Sequence, residues 1–291
     1  MAFFGNKSYD ESASAKAHRV ALTDGLTFEL VPIKSLDTAV QALPAGVEVS
    51  VTCSPTKGIE ETQRLTAELQ DQGFVPIPHI AARMVRDRTH VVELAKWCRE
   101  LGLSKIFIVG GDAEEPGEYV GAVEFLADFL TTDHGVTTIG VTAYPDGHAF
   151  LPDEKLRWAL HEKQRLLTEA GVDGYCSTQM CFDPDAIAKW LRVEREMGLT
   201  LPVHLGISGV VDKTKLLTMG ARLGIGDSLK YLRKNVGAVI KMMTTVNYDP
   251  NDLLLPLSSD LLDFGVTGLH VFTFNQVEAT NNWRESVLAT S

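Results

Sequence analysis

The chain is poor in cysteine. Four occur in 291 residues, at positions 53, 98, 176 and 181, and no two have the C-x-x-C spacing of zinc sites and dithiol motifs. The thiols read as packed, free side chains, and a reducing cytoplasm is their simplest home. No apolar run reaches 18 residues, so no segment is expected to cross a membrane as a helix. Residues 1–20 lack the apolar stretch of a secretory leader. Basic charge is also scarce: 27 Lys and Arg stand against 38 Asp and Glu, a net charge of −11. The densest basic runs, 83–88 and 230–234, are short and read as solvated faces. Such a balance excludes nucleic acid as the main partner. The G-x-G-x-x-G dinucleotide fingerprint is missing, and His161-Glu162 does not continue as H-E-x-x-H because residue 165 is Arg. His79, His148 and His204 are far apart and lack companion carboxylates at ligand spacing, so no metal site is expected.

What the chain does have is regular alternation. Hydrophobic residues make up 45% of it, enough for one large core. Apolar strand patterns fall at 27–31, 47–51, 74–80, 105–109, 138–142, 174–178, 202–206 and 268–273. Helical patterns fall between them at 35–43, 58–72, 87–101, 117–130, 153–170, from 183 onward, at 212–223, 228–236 and 237–264, and last at 277–288. Pro76 and Pro78 predict a short or irregular third strand. Gly102, Gly171, Gly198 and Gly265 stand where helices must end, and Asp183-Pro184 has the form of a helix start. Eight strands alternating with helices predict a single (β/α)8 barrel, an α/β fold, over residues 25–291, with residues 1–24 as a polar N-terminal arm.

In such barrels chemistry gathers at the C-terminal ends of the strands. Those ends carry Glu29 and Pro32, Thr52 and Cys53, His79, Asp112, Tyr144 and His148, Gln179, Ser208, and Phe274 with Asn275. Glu29 interrupts the apolar run Phe28-Glu29-Leu30-Val31. Inside the barrel it would be a desolvated carboxyl suited to general acid work; the other readings are an outward-facing surface Glu or an internal salt bridge. Asp112 follows Gly110-Gly111 and reads either as a ligand contact or as a helix cap. Gln179 reads as an edge-on partner for a heterocycle or as a core amide. From the residues alone, this is a barrel enzyme with a polar, metal-free pocket and one candidate acid.

The strand ends also form a recognisable series. Thr27-Phe28-Glu29-Leu30-Val31-Pro32, Ser50-Val51-Thr52, Pro78-His79, Gly111-Asp112, Ala143-Tyr144-Pro145-x-x-His148, Thr178-Gln179-x-x-Phe182-Asp183, Gly206-Ile207 and His270-Val271-Phe272-Thr273-Phe274-Asn275 appear in order. Together they resemble the methylenetetrahydrofolate reductase family from about residue 27 to 285. The resemblance implies reduction of 5,10-methylenetetrahydrofolate to 5-methyltetrahydrofolate, within one-carbon metabolism and methionine biosynthesis. It implies Glu29 as the acid for ring opening, and Asp112, Gln179, Phe274 and Asn275 as substrate contacts. Thr52, His79, Tyr144 and His148 match positions that contact the flavin in most members. The chain departs from the family at Gly110, where most members carry Arg, and at Leu166 and Leu167, where most carry cations for the flavin phosphates. Lys163 and Arg165 lie nearby, and Glu114 and Glu115 add negative charge after Asp112. The aromatic expected after strand seven is missing, with Lys213 near its place. These departures resemble the flavin-independent branch, with NADH or NADPH giving hydride directly and FAD absent. An FAD-dependent reductase, or a folate-dependent methyl-transfer enzyme on the same barrel, remains the alternative. Oligomeric state and the choice between NADH and NADPH stay open.

Overall fold

The computed structural model describes residues 11–212, 215, 216, 218 and 247–290. Eight strands carry the architecture: β1 (Thr27–Leu30), β2 (Glu48–Val51), β3 (Val75–Ala81), β4 (Lys105–Val109), β5 (Thr138–Ala143), β6 (Asp173–Thr178), β7 (Val203–Ser208) and β8 (Val266–Phe272). They pair in parallel in chain order, and β1 joins β8 to close a barrel. The described helices are α1 (Ala13–Asp24), α2 (Leu36–Gln41), α3 (Ile59–Asp71), α4 (Arg88–Leu101), α5 (Ala122–Phe129), α6 (Asp153–Ala170), α7 (Pro184–Glu196), α8 (Asn251–Asp263) and α9 (Val277–Ala289). The helices expected at 212–223 and 228–236, and the start of that at 237–264, lie largely outside the described residues.

The strands alternate in a way that sets the chemistry. Phe28, Leu30, Val49, Val51, Ile106 and Ile108 point outward and pack beneath the helices in the main core. Their neighbours along the chain point inward, and many are polar or aromatic. Phe107 on β4 and His270 on β8 sit on opposite sides of the barrel, yet their rings lie 5.9 Å apart, which only the interior permits. Tyr175 and His204 stack there at 4.2 Å. At the strand starts, Lys105 pairs with Glu48, which also accepts from the Thr27 hydroxyl. That ion pair plugs the N-terminal end of the barrel.

Two expectations need correction. β3 is seven residues long and regular despite Pro76 and Pro78. The Val75 N–H donates to the Val47 carbonyl, so odd positions face β2 and the prolines turn their missing donors toward β4. Pairing with β4 begins only at His79, past both prolines. The second correction is the N-terminal arm. Residues 13–24 form a helix whose Ala15, Arg19, Leu22 and Thr23 are buried against the barrel. Arg19 lies against Glu11 at 2.8 Å, and the His18 ring meets the Val266 carbonyl at 2.9 Å. A face built on an arginine stem and small residues reads as polar in sequence.

The expected helix ends are present. Gly102 and Gly171 cap α4 and α6 in the left-handed conformation, and Gly198 and Gly265 adopt positive φ just beyond α7 and α8. Asp183 caps α7 by accepting from Asp185 N and Ala186 N.

Gly140 shows how tightly the interior is filled. A Cβ at this position would collide with the rings of Phe107 and Tyr175. Gly140→Ala should therefore lower stability by about 1–3 kcal/mol through overpacking, read as a reduced urea midpoint with an unchanged m value.

Candidate active site

Glu29 points into the barrel and is 6% exposed. Its Oε2 lies 2.9 Å from His270 Nε2, and its backbone carbonyl accepts from the Thr273 hydroxyl at 2.6 Å. The outward-facing alternative for this carboxyl is therefore ruled out by position. Beside it, Ser50 Oγ and His79 Nε2 lie 2.6 Å apart, and the His79 ring packs on Phe107 at 4.8 Å. Burial, followed by repulsion from His270, pushes the His79 pKa well below its ordinary value. His79 is thus a neutral imidazole at pH 7. It sits in the layer of Glu29 rather than at the rim where a cofactor contact was expected.

Glu29, His79 and His270 offer ligand atoms within 4.8 Å of one another. Spacing along the chain gives no sign of this set. His270 Nε2 is taken by Glu29 and His79 Nε2 by Ser50, so the three groups form two closed pairs. A cation would have to break both.

The mouth of the barrel holds a second group. Tyr144 follows β5, and burial raises its pKa; a hydrogen bond with Thr142 opposes that shift, and the Asp112 carboxylate adds to it. Asp112 is exposed and therefore available to solutes. His148 meets Tyr144 edge-on at 5.3 Å, and Phe150 meets His148 at 5.9 Å. Phe150 is 87% exposed, an aromatic at the rim that sequence reasoning did not single out. The Thr52 hydroxyl is buried without a hydrogen-bond partner, which fits a position that meets a bound ring. Gln179 accepts from Met180 N through Oε1, which turns its amide nitrogen toward other partners.

Other expected contacts are committed elsewhere. Asn275 accepts from Val31 N and donates to the Val31 carbonyl, both at 2.9 Å, and it also reaches Ser35 Oγ. It is a clamp across the β1–β8 closure. Phe274 is buried in a small cluster with Met180, Phe182, Val211 and Tyr248. Both residues have positive φ, 48° and 62°, a costly conformation for side-chain-bearing residues. Ser208 donates to the Gly209 carbonyl. Pro32 lines a separate cavity of about 190 Å³ on the outer wall, between α2 and α3. Cys53 packs against Met84 sulfur at 3.7 Å, and Cys98, Cys176 and Cys181 are buried. Lys213 lies outside the described residues.

Helix α6 carries the positions where flavin-gripping cations were sought. Leu167 is buried in the core, and Leu166 packs against it. Lys163 is also buried, and its Nζ donates to the Thr142 carbonyl at 3.0 Å and reaches the Thr142 hydroxyl at 3.3 Å. Arg165 faces outward and is held by Glu162 and Glu169.

Polar side chains gathered at the C-terminal mouth of a closed (β/α)8 barrel, over a buried acid, place the molecule among the barrel enzymes. Comparison with known proteins is specific. Residues 31–287 match the family model of methylenetetrahydrofolate reductase. Over 174 residues the sequence is 28% identical to "Methylenetetrahydrofolate reductase 2" of Saccharomyces cerevisiae (strain ATCC 204508 / S288c), a stretch covering 58% of this chain and 28% of the yeast protein. The chain belongs to the methylenetetrahydrofolate reductase family, and it spans well under two thirds of that relative's length.

Lys163 gives a pH test of this geometry. Burial lowers its pKa from 10.5 to about 8. Between those values the unfolded chain binds a proton that the folded chain lacks, so folding is penalised as pH falls. The penalty is complete below about pH 8 and vanishes above the unfolded pKa. Relative to Lys163→Met, the wild type should lose on the order of 3 kcal/mol between pH 10.5 and pH 8. Paired urea titrations across that range read the difference.

Proposed function

We propose that this protein reduces 5,10-methylenetetrahydrofolate to 5-methyltetrahydrofolate with hydride taken directly from a nicotinamide coenzyme. The observation that carries the direct route is the state of α6. A flavin diphosphate needs cations that face it. Leu167 is core, Lys163 is turned inward onto Thr142, and Arg165 is held by two carboxylates. Glu114 and Glu115 are exposed on the loop after Asp112, where they would repel a diphosphate. These residues do not fit FAD.

The reaction then needs three things from the chain. Asp112 and Gln179 hold the edge of the pterin. Thr52, Tyr144 and His148, with Phe150 at the rim, provide the surface for the flat nicotinamide ring. Glu29 gives a proton to N10 as the methylene carbon–N10 bond breaks. The iminium carbon accepts hydride from the coenzyme, which leaves oxidised, and the carbon becomes a methyl group. Holding two flat rings face to face contributes roughly 7–11 kcal/mol of the barrier reduction, and the protein adds a positioned acid.

Purified protein should be colourless, with no flavin absorbance, and should oxidise NADH or NADPH when methylenetetrahydrofolate is supplied without flavin. A yellow protein, or one active only after FAD is added, would establish the flavin-dependent reductase instead. Folate turnover that needs no reduced coenzyme would favour methyl transfer.

A further inference from the structure

We propose that Glu29 and His270 hold one proton between them, with His270 as the positioning residue that aims Glu29 and returns a proton to it after each turnover. The chemical step rests on the reductase reading above; the pair itself rests on geometry. Glu29 Oε2 and His270 Nε2 are 2.9 Å apart, with side chains 8% and 4% exposed. Strand register and one further hydrogen bond fix the pair. Phe272, two residues on from His270, is level with Glu29 across the closure, and Thr273 holds the Glu29 carbonyl.

The surroundings direct the proton to this pair. Facing it are Ser50 on β2, His79 on β3, Phe107 on β4, Tyr175 on β6 and His204 on β7, with the Glu48–Lys105 pair deeper and Asp112 and Tyr144 at the mouth. Burial and then repulsion by His270 lower both other imidazoles, His79 well below its ordinary value and His204 to about 4. Neither carries charge at pH 7. Burial holds the Tyr175 phenol protonated. Glu48 is neutralised by Lys105. Among the described residues of the interior, His270 is thus the imidazole in contact with a carboxylate.

A lone carboxyl in water is almost fully ionised at pH 7 and would be a poor acid. An imidazole partner changes this because a histidine ordinarily titrates close to neutrality. In the step, the Glu29 proton moves to N10 as the carbon–nitrogen bond breaks. That leaves a carboxylate beside a neutral imidazole; His270 takes one proton from water, and the proton shared between His270 Nε2 and Glu29 Oε2 is restored before the next cycle. One proton from solvent is consumed per hydride transferred.

Nuclear magnetic resonance on protein labelled with 15N-histidine tests the pair without turnover. A far-downfield imidazole N–H proton should be present in the wild type, absent from Glu29→Gln and His270→Asn, and retained in Ser50→Ala. In kinetics, His270→Asn should lower kcat roughly a hundredfold at pH 7 while moving the folate KM by less than about threefold. Its kcat should climb toward acidic pH over a range in which the wild type is flat. Should the Asn variant fail to fold, His270→Gln and the wild-type spectrum compared with Glu29→Gln carry the test. Wild-type kcat and pH profile in a folded His270 variant, or a downfield signal indifferent to Glu29→Gln, would overturn the proposal. A wild type that shows the Glu29-dependent signal but does not oxidise coenzyme with methylenetetrahydrofolate would sink the reductase reading and leave the pair standing.

Discussion

Closure of the sheet between β1 and β8 is the constraint on which the rest of the molecule depends. A parallel barrel has no free edge only if its first and last strands meet in register, and here that meeting also carries the candidate acid. Register alone sets Glu29 level with Phe272. Side chains then pin it: Thr273 holds the Glu29 carbonyl, and Asn275 takes both backbone groups of Val31. The two left-handed residues, Phe274 and Asn275, bend the chain so that Asn275 can reach back. Conformational cost at this turn is offset by hydrogen bonds across the closure. The strain therefore lies next to the acid, in the turn that fixes the backbone of β1.

The second constraint is dielectric. The interior of this barrel holds imidazoles, a phenol, a phenyl ring, a hydroxyl and a carboxyl, with Ile77 and Val109 beside the rings of Phe107 and Tyr175. Such groups are tolerated away from water only when paired or neutral. The structure meets that condition group by group: Ser50 with His79, Glu29 with His270, Tyr175 stacked on His204 and Glu48 with Lys105. Apolar packing is moved outward to the strand–helix interface, where Phe28, Val49, Ile106 and Val141 are buried. Stability and chemistry are thus divided between the two faces of one sheet.

Much of this was legible in the sequence, for identifiable reasons. Eight strand–helix alternations, left-handed glycines after helices and the Asp183-Pro184 start are local signals, and each stands where it was expected. Glu29 was legible because a carboxylate within an apolar strand is conspicuous. Its partner was not: His270 lies 241 residues away and becomes visible only when β1 and β8 are placed side by side. The clamp made by Asn275 was hidden for the related reason that its partner Val31 lies 244 residues away. Helix α1 was missed because its buried face relies on Ala15, Thr23 and the stem of Arg19, and β3 seemed doubtful until the direction of its prolines was known. On helix α6 the sequence shows which residues are present but not that Lys163 folds inward onto Thr142.

Leu167 has a consequence for what helix α6 can carry. Its side chain fills the space above Gly174 on β6, where an added Cβ would lie 2.7 Å from the leucine. A basic residue at 167 would bring charge into a dry interface or open a gap over a glycine. The interlock of α6 with β6 thus keeps position 167 apolar: any longer or charged side chain there needs a matching change on the neighbouring strand.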